Sequence, residues 1–247
     1  MKPSHSKRPQ GFTLLETVIA IGVLSVLLTG FIVVFTPAAQ GIRKSINVQD
    51  ADRLASALEQ ELVTHRTGDG YSTGFDKAFN WIRTSDKAAS AVLVYQYRGE
   101  LGGTTRDDGT PKPVAAKDLK GKVPGKDYVV VPMARSRGDA KSAGYFNEDL
   151  DALEGGVYLV KCTQLVFSAA GATPGLIVGK AGEIKDPKGV VDSTFTTSDT
   201  YPEAVIAFAA EFHTLPAKTD SFFKSGFNAA FTKAKTPVFT RNLAVRR

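Results

Sequence analysis

The sequence predicts an α+β fold in which a long N-terminal helix, membrane-spanning in its first part, packs on an antiparallel β-sheet. Three observations predict it. Residues 18–35 run for 18 positions without a charge. A helical apolar period resumes after Pro37. From residue 91 onward the chain turns to short segments rich in Val, Tyr and Phe, bounded by Gly, Pro and Asp. The 247 residues are 43% hydrophobic and 23% charged, with one cysteine, and mean hydropathy is −0.10. That composition allows a sizeable core. It excludes disordered, collagen-like and disulfide-built chains, and its hydropathy excludes a polytopic membrane protein.

The first element is the most distinctive. Residues 1–11 contain Lys2, Lys7 and Arg8 and no acid, and residues 12–35 contain one charge, Glu16. As a helix, residues 18–35 are about 27 Å long, enough to cross most of a hydrocarbon core. No comparable stretch follows, so one span is expected. The preceding cations put the N-terminus on the cytoplasmic side and residues from about 37 onward on the far side. Three readings compete. One is a plain signal-anchor. Another is a secretory signal cut near Thr36-Pro37-Ala38. Only the third accounts for Glu16.

The run Gly11-Phe12-Thr13-Leu14-Leu15-Glu16 resembles the processing motif of type IV pilins and type II secretion pseudopilins. The resemblance implies a leader of residues 1–11. It implies cleavage between Gly11 and Phe12 by a prepilin peptidase, N-methylation of Phe12, and an assembly role for Glu16 as the fifth mature residue. A carboxylate inside a membrane helix costs roughly 2.5 kcal/mol or more and needs a partner. The new α-amine of Phe12, one helical turn back or on a neighbouring subunit, is that partner in this reading. In the plainer reading Glu16 sits solvated at the headgroup level. Gly22, Ser25, Thr29 and Gly30 interrupt the run, either as sites of close helix approach or as ordinary membrane-helix residues.

Thr36-Pro37 is expected to bend or briefly interrupt the helix. Ile42, Ile46, Ala51, Leu54, Ala55, Leu58 and Leu62 then trace one face, with Arg43, Lys44, Asp50, Asp52, Arg53, Glu59 and Glu61 mostly elsewhere. This is an amphipathic helix stopped by Gly68-Asp69-Gly70. The expected organisation is a leader (1–11), a transmembrane or filament-core helix (12–36), its amphipathic continuation (37–67) and a β-rich soluble domain (68–247).

Five segments read as strands: 91–98, 127–133, 156–168, 203–215 and 236–245. In 203–215, Ile206, Phe208 and Phe212 share one face against Ala207, Ala209, Glu211 and His213. The segment 156–168 is apolar at both parities, which suits a strand covered on both faces. Without regular helical crossovers the sheet is expected to be antiparallel. Residues 99–126 and 171–200 read as long loops. Phe222, Phe223, Phe227 and Phe231 suggest a short turn or helix docked on the sheet.

Three further pieces, Gly156-Val157, Pro202-Glu203-Ala204-Val205 and Phe239-Thr240-Arg241, resemble those of J-type minor pseudopilins and PilW-like minor pilins. With them the fold expected is pilin-like. A lone Cys162 departs from the disulfide of major type IVa pilins. Glu16 departs from the K-type tip subunit, and the length and missing calcium spacing depart from the G-type.

The inventory for chemistry is thin. HExxH, GxSxG and CxxC are absent, and the runs 68–74 and 175–181 miss the dinucleotide and P-loop spacings. No catalytic, cofactor-binding or metal site is assigned. Cys162 reads as a small core residue, and His213 as a surface or satisfied residue. Asp186, Asp192 and Asp199 lack the calcium-loop spacing. Losing the three leader cations takes the net charge from +6 to +3. Lys233, Lys235, Arg241, Arg246 and Arg247 read as a solvated face, with nucleic-acid binding as the rival. The expectation is a non-enzymatic minor pseudopilin or minor pilin, anchored by a single pass in a bacterial inner membrane with its soluble domain periplasmic. Its partners would be other pilin or pseudopilin subunits, the peptidase, an inner-membrane assembly platform and lipid. The alternative is a membrane-anchored or secreted binding domain or enzyme that uses the N-terminus only for targeting.

Overall fold

A computed structural model describes residues 13–168, 175–189 and 193–247, apart from the side chains of residues 36, 40, 43, 44, 47 and 51. Helix α1 covers Leu14–Val63 with Pro37 inside it. The expected interruption at Thr36-Pro37 does not occur. Proline removes one backbone donor, and the bonds of a 50-residue helix on either side hold the segment helical. The chain divides into two compact units, Met1–Ile46 and Asn47–Arg247.

In the second unit α1 contributes Leu54, Ala55, Leu58 and Leu62 to a core. The expected stripe is therefore only partly packed, because Ile42 and Ile46 are exposed. Helix α2 (Gly74–Thr84) follows, capped by the Thr73 side chain, which accepts a bond from the Asp76 N–H. The sequence reading had no helix here. Its buried Phe75, Ala78, Phe79 and Ile82 nonetheless recur at helical spacing. Gly74 lets α2 start hard against the end of α1, since a Cβ there would stand 2.8 Å from the Leu62 carbonyl oxygen.

The strands are β1 (Val92–Glu100), β2 (Tyr128–Ser136), β3 (Leu153–Ser168), β4 (Gly175–Val178), β5 (Val205–Thr214) and β6 (Phe239–Arg246). Their order is β2-β1-β3-β5-β6, with β4 also on β3. Every pairing is antiparallel. Helix α3 (Ala140–Asp149) was not expected between β2 and β3, and β4 lies in a stretch read as loop.

Both faces of the sheet are covered. Tyr158, Val160 and Cys162 of β3 join Ile206, Phe208 and Phe212 of β5 in the core under α1 and α2. On the opposite face Val157 and Leu159 pack with Leu93, Tyr95, Phe146, Phe223 and Phe227. The double-sided burial expected of 156–168 is thus found in β3. The aromatic segment forms a π-helical turn (Phe222–Gly226) leading into α4 (Phe227–Lys233). Its docking runs through edge-to-face contacts: Tyr95 to Phe146 at 5.1 Å and Phe146 to Phe223 at 4.7 Å. Such pairs add about 1 kcal/mol each beyond area burial.

Candidate functional site

The sequence points first to the start of α1. Gly11 and Phe12 lie outside the described residues. Thr13 caps the helix: its hydroxyl oxygen accepts the Glu16 N–H at 3.2 Å, and its carbonyl accepts the Thr17 N–H at 3.1 Å. Glu16 therefore occupies the first turn, where the helix dipole favours an acid. Its carboxylate is exposed and has no hydrogen bond or ion pair among the described residues.

Beyond Glu16 the helix is bare. Leu14–Ala39 is a 26-residue apolar stretch of mean hydropathy 2.8, and its most apolar window is not buried at all. Large apolar side chains from Leu14 to Phe35 are at least 55% exposed. At 1.5 Å per residue the stretch is long enough to cross a bilayer core. Its polar interruptions are satisfied internally. Ser25 donates to the Ile21 carbonyl and Thr29 to the Ser25 carbonyl, both at 2.8 Å, so neither hydroxyl is orphaned in an apolar setting.

The second unit holds a buried charge network that sequence reasoning missed. Lys77, 2% exposed, donates to Glu61 at 3.0 Å and to the Thr64 carbonyl at 2.8 Å, and pairs with Asp69 at 3.1 Å. Arg66 grips the same Glu61 at 2.7 Å and donates to the Asp108 carbonyl at 3.2 Å. Arg135 pairs with Asp108 at 3.0 Å, and Arg106 with the fully buried Asp149 at 2.8 Å. The Tyr95 hydroxyl donates to Asp149 at 2.5 Å. The slip in β1–β3 register between Val94 and Gln96 falls at Tyr95, as a bulge that re-aims a side chain does. Burial works to raise Asp69 and Asp108. Together the bonds from Lys77, Arg66 and Tyr71 outweigh it in Asp69, and those from Thr110 and Arg135 outweigh it in Asp108, so both carboxyls sit below their ordinary range. In Asp149 burial prevails over Arg106 and Tyr95, and the carboxyl is raised.

These contacts lock elements together and activate no nucleophile. Burial pushes the Cys162 thiol up to about 12, so it stays protonated in its core position. His213 departs from expectation. It is buried, at 2% exposure, and neither ring nitrogen has a hydrogen-bond partner among the described residues. Glu211 lies 3.7 Å away, too far for a hydrogen bond. Burial first, then Lys161, pulls its pKa down. Asp192 lies outside the described residues. Among those described, no cluster of three or more His, Cys, Asp and Glu suits a metal.

The C-terminal cations do not form one patch. Arg241 pairs with Asp52 at 3.2 Å. The Arg247 guanidinium lies 4.8 Å from the Phe75 ring centre. Arg241 and Arg246 differ in parity along β6 and so point to opposite faces.

A model of the prokaryotic N-terminal methylation motif matches residues 6–32 of the chain. No curated protein and no solved structure matches it. The match supports a prepilin-type leader and single-pass membrane anchoring. In general terms it supports a precursor of the type IV pilin or pseudopilin kind, a structural subunit rather than an enzyme, that meets a processing peptidase and other pilin subunits.

Proposed function

We propose that this chain is a minor pseudopilin or minor type IV pilin. It is cut between Gly11 and Phe12, methylated on Phe12, and built into a filament through the helix that carries Glu16. One observation carries the reading: the matched segment 6–32 takes in most of an apolar helix, Leu14–Ala39, that no described residue covers. In lipid that helix is solvated by acyl chains. In a filament the same side chains pack against neighbouring subunits, and Glu16 meets the α-amine of a neighbour's Phe12. An inner-membrane platform performs the transfer. The J-type and PilW-like part of the reading rests on the resemblance of Gly156-Val157, Pro202-Glu203-Ala204-Val205 and Phe239-Thr240-Arg241.

The test is the mass and N-terminal sequence of the protein from its native membrane. N-methyl-Phe at position 12 is expected. An intact Met1, or a start at Ala39, overturns the proposal in favour of a targeting segment.

A further inference from the structure

The formal charge is unevenly distributed. Lys2, Lys7 and Arg8 supply +3 of the +6, and residues 112–127 supply another +3, five lysines against Asp118 and Asp127. The rest of the chain balances to zero. The second cluster lies in the connection between β1 and β2, and that connection is scaffolded. The Glu100 N–H donates to the Lys112 carbonyl and the Val114 N–H to the Arg98 carbonyl, both at 2.8 Å. The Leu101 N–H donates to the Asp127 carbonyl at 3.0 Å. The Asp127 carboxylate is occupied by the Val123 N–H at 2.7 Å. Lys112, Lys117, Lys120 and Lys126 are exposed, and their ammonium groups make no hydrogen bond or ion pair among the described residues. Lys122 has only Glu100, at 3.9 Å. Leu101 and Val123, 46% and 53% exposed, stand among them.

We propose that this lysine loop docks on anionic lipid headgroups. Its side-chain chemistry selects that partner. Residues 101–127 contain no aromatic residue for base stacking. Their one arginine, Arg106, is committed to Asp149 and Glu148, so no guanidinium fork is offered to a nucleic-acid base edge. Lysines beside exposed aliphatic groups suit a headgroup layer, with charge at the phosphates and hydrocarbon just below. Within this unit Val130 and Pro132 of β2, the strand that the loop feeds, share a cleft with Arg53 and Ser56 of α1, and residues 109–111 of the loop line a pocket with Glu61 and Arg66. The inference rests on single-pass anchoring, which keeps a bilayer at high local concentration.

The experiment uses the full chain in lipid nanodiscs, with phosphatidylcholine alone or with phosphatidylglycerol added. Lysine acylation by a water-soluble reagent is read by mass spectrometry. Lys117, Lys120 and Lys126 are expected to react several-fold more slowly in the anionic discs. High salt should remove the difference, and Lys218 and Lys233 serve as unaffected references. Each lysine changed to Gln should weaken the partition about five-fold. Equal rates in both discs overturn the proposal. So does protection by single-stranded DNA or inorganic phosphate without protection by anionic lipid. A chain that fails to enter discs breaks the anchoring reading instead, and vesicles added from outside then still report on the loop.

Discussion

Glu16 and Glu61 are carboxylates on one helix, and they live under opposite rules. Glu61 lies in the last turns of α1, 6% exposed, and holds Arg66 at 2.7 Å and Lys77 at 3.0 Å. Glu16 lies in the first turn, exposed, on a stretch whose apolar side chains are all uncovered. In the second unit every element of the charge network is supplied by the chain itself. In the first unit the described residues supply an acid and an apolar surface and no complement to either. The second unit itself meets the charge of Glu61, whereas no described residue meets that of Glu16.

That contrast can be broken in several ways. Gly11→Val should block cleavage outright, because a branched side chain does not fit a site shaped for Gly; an unaltered mature mass would refute it. Glu61→Ala should destabilise the second unit by about 3–5 kcal/mol, since it leaves Lys77 buried and Arg66 half-buried, both short of charge. Denaturant unfolding reads this, and a loss below about 1 kcal/mol would show that water or Asp69 compensates. Glu16→Ala should leave both cleavage and unfolding midpoint unchanged, to within about 0.5 kcal/mol, and impair filament assembly; normal incorporation would sink its assigned role. The smallest effect is a pH slope. The folded-state pKa of His213 is depressed, so the unfolded chain takes up the proton first. Stability is full above the ordinary imidazole value of about 6.5 and falls as pH drops below it. In His213→Leu the slope between pH 7 and 5 should flatten.

Much of this was legible in the sequence. The apolar run, its lone acid and the Gly-Phe step stand within 25 residues of one another, where local pattern is decisive. The strands announced themselves through β-branched and aromatic runs, and the double-sided burial of β3 followed from apolar residues at both parities. Helix α2 keeps helical spacing in Phe75, Phe79 and Ile82, but it follows so closely on Gly68-Asp69-Gly70, which reads as a stop, that no helix is expected there. Helix α3 gives almost no signal: Gly144 interrupts it, and Phe146 and Asp149 are its only buried residues. The charge network was invisible for a different reason. Arg106 meets Asp149 across 43 positions and Arg135 meets Asp108 across 27, so their pairing is a property of topology. A charge that looked solvated in the sequence is buried once the sheet brings its counterion.

Strand β3 carries one more consequence. Its 16 residues pair with β1, β4 and β5 and feed both cores at once. Neither core can loosen without disturbing the other's backbone ladder, so the second unit has no seam along which half of it could open. Amide hydrogens along the middle of β3 should exchange only through global unfolding, the slowest in the molecule.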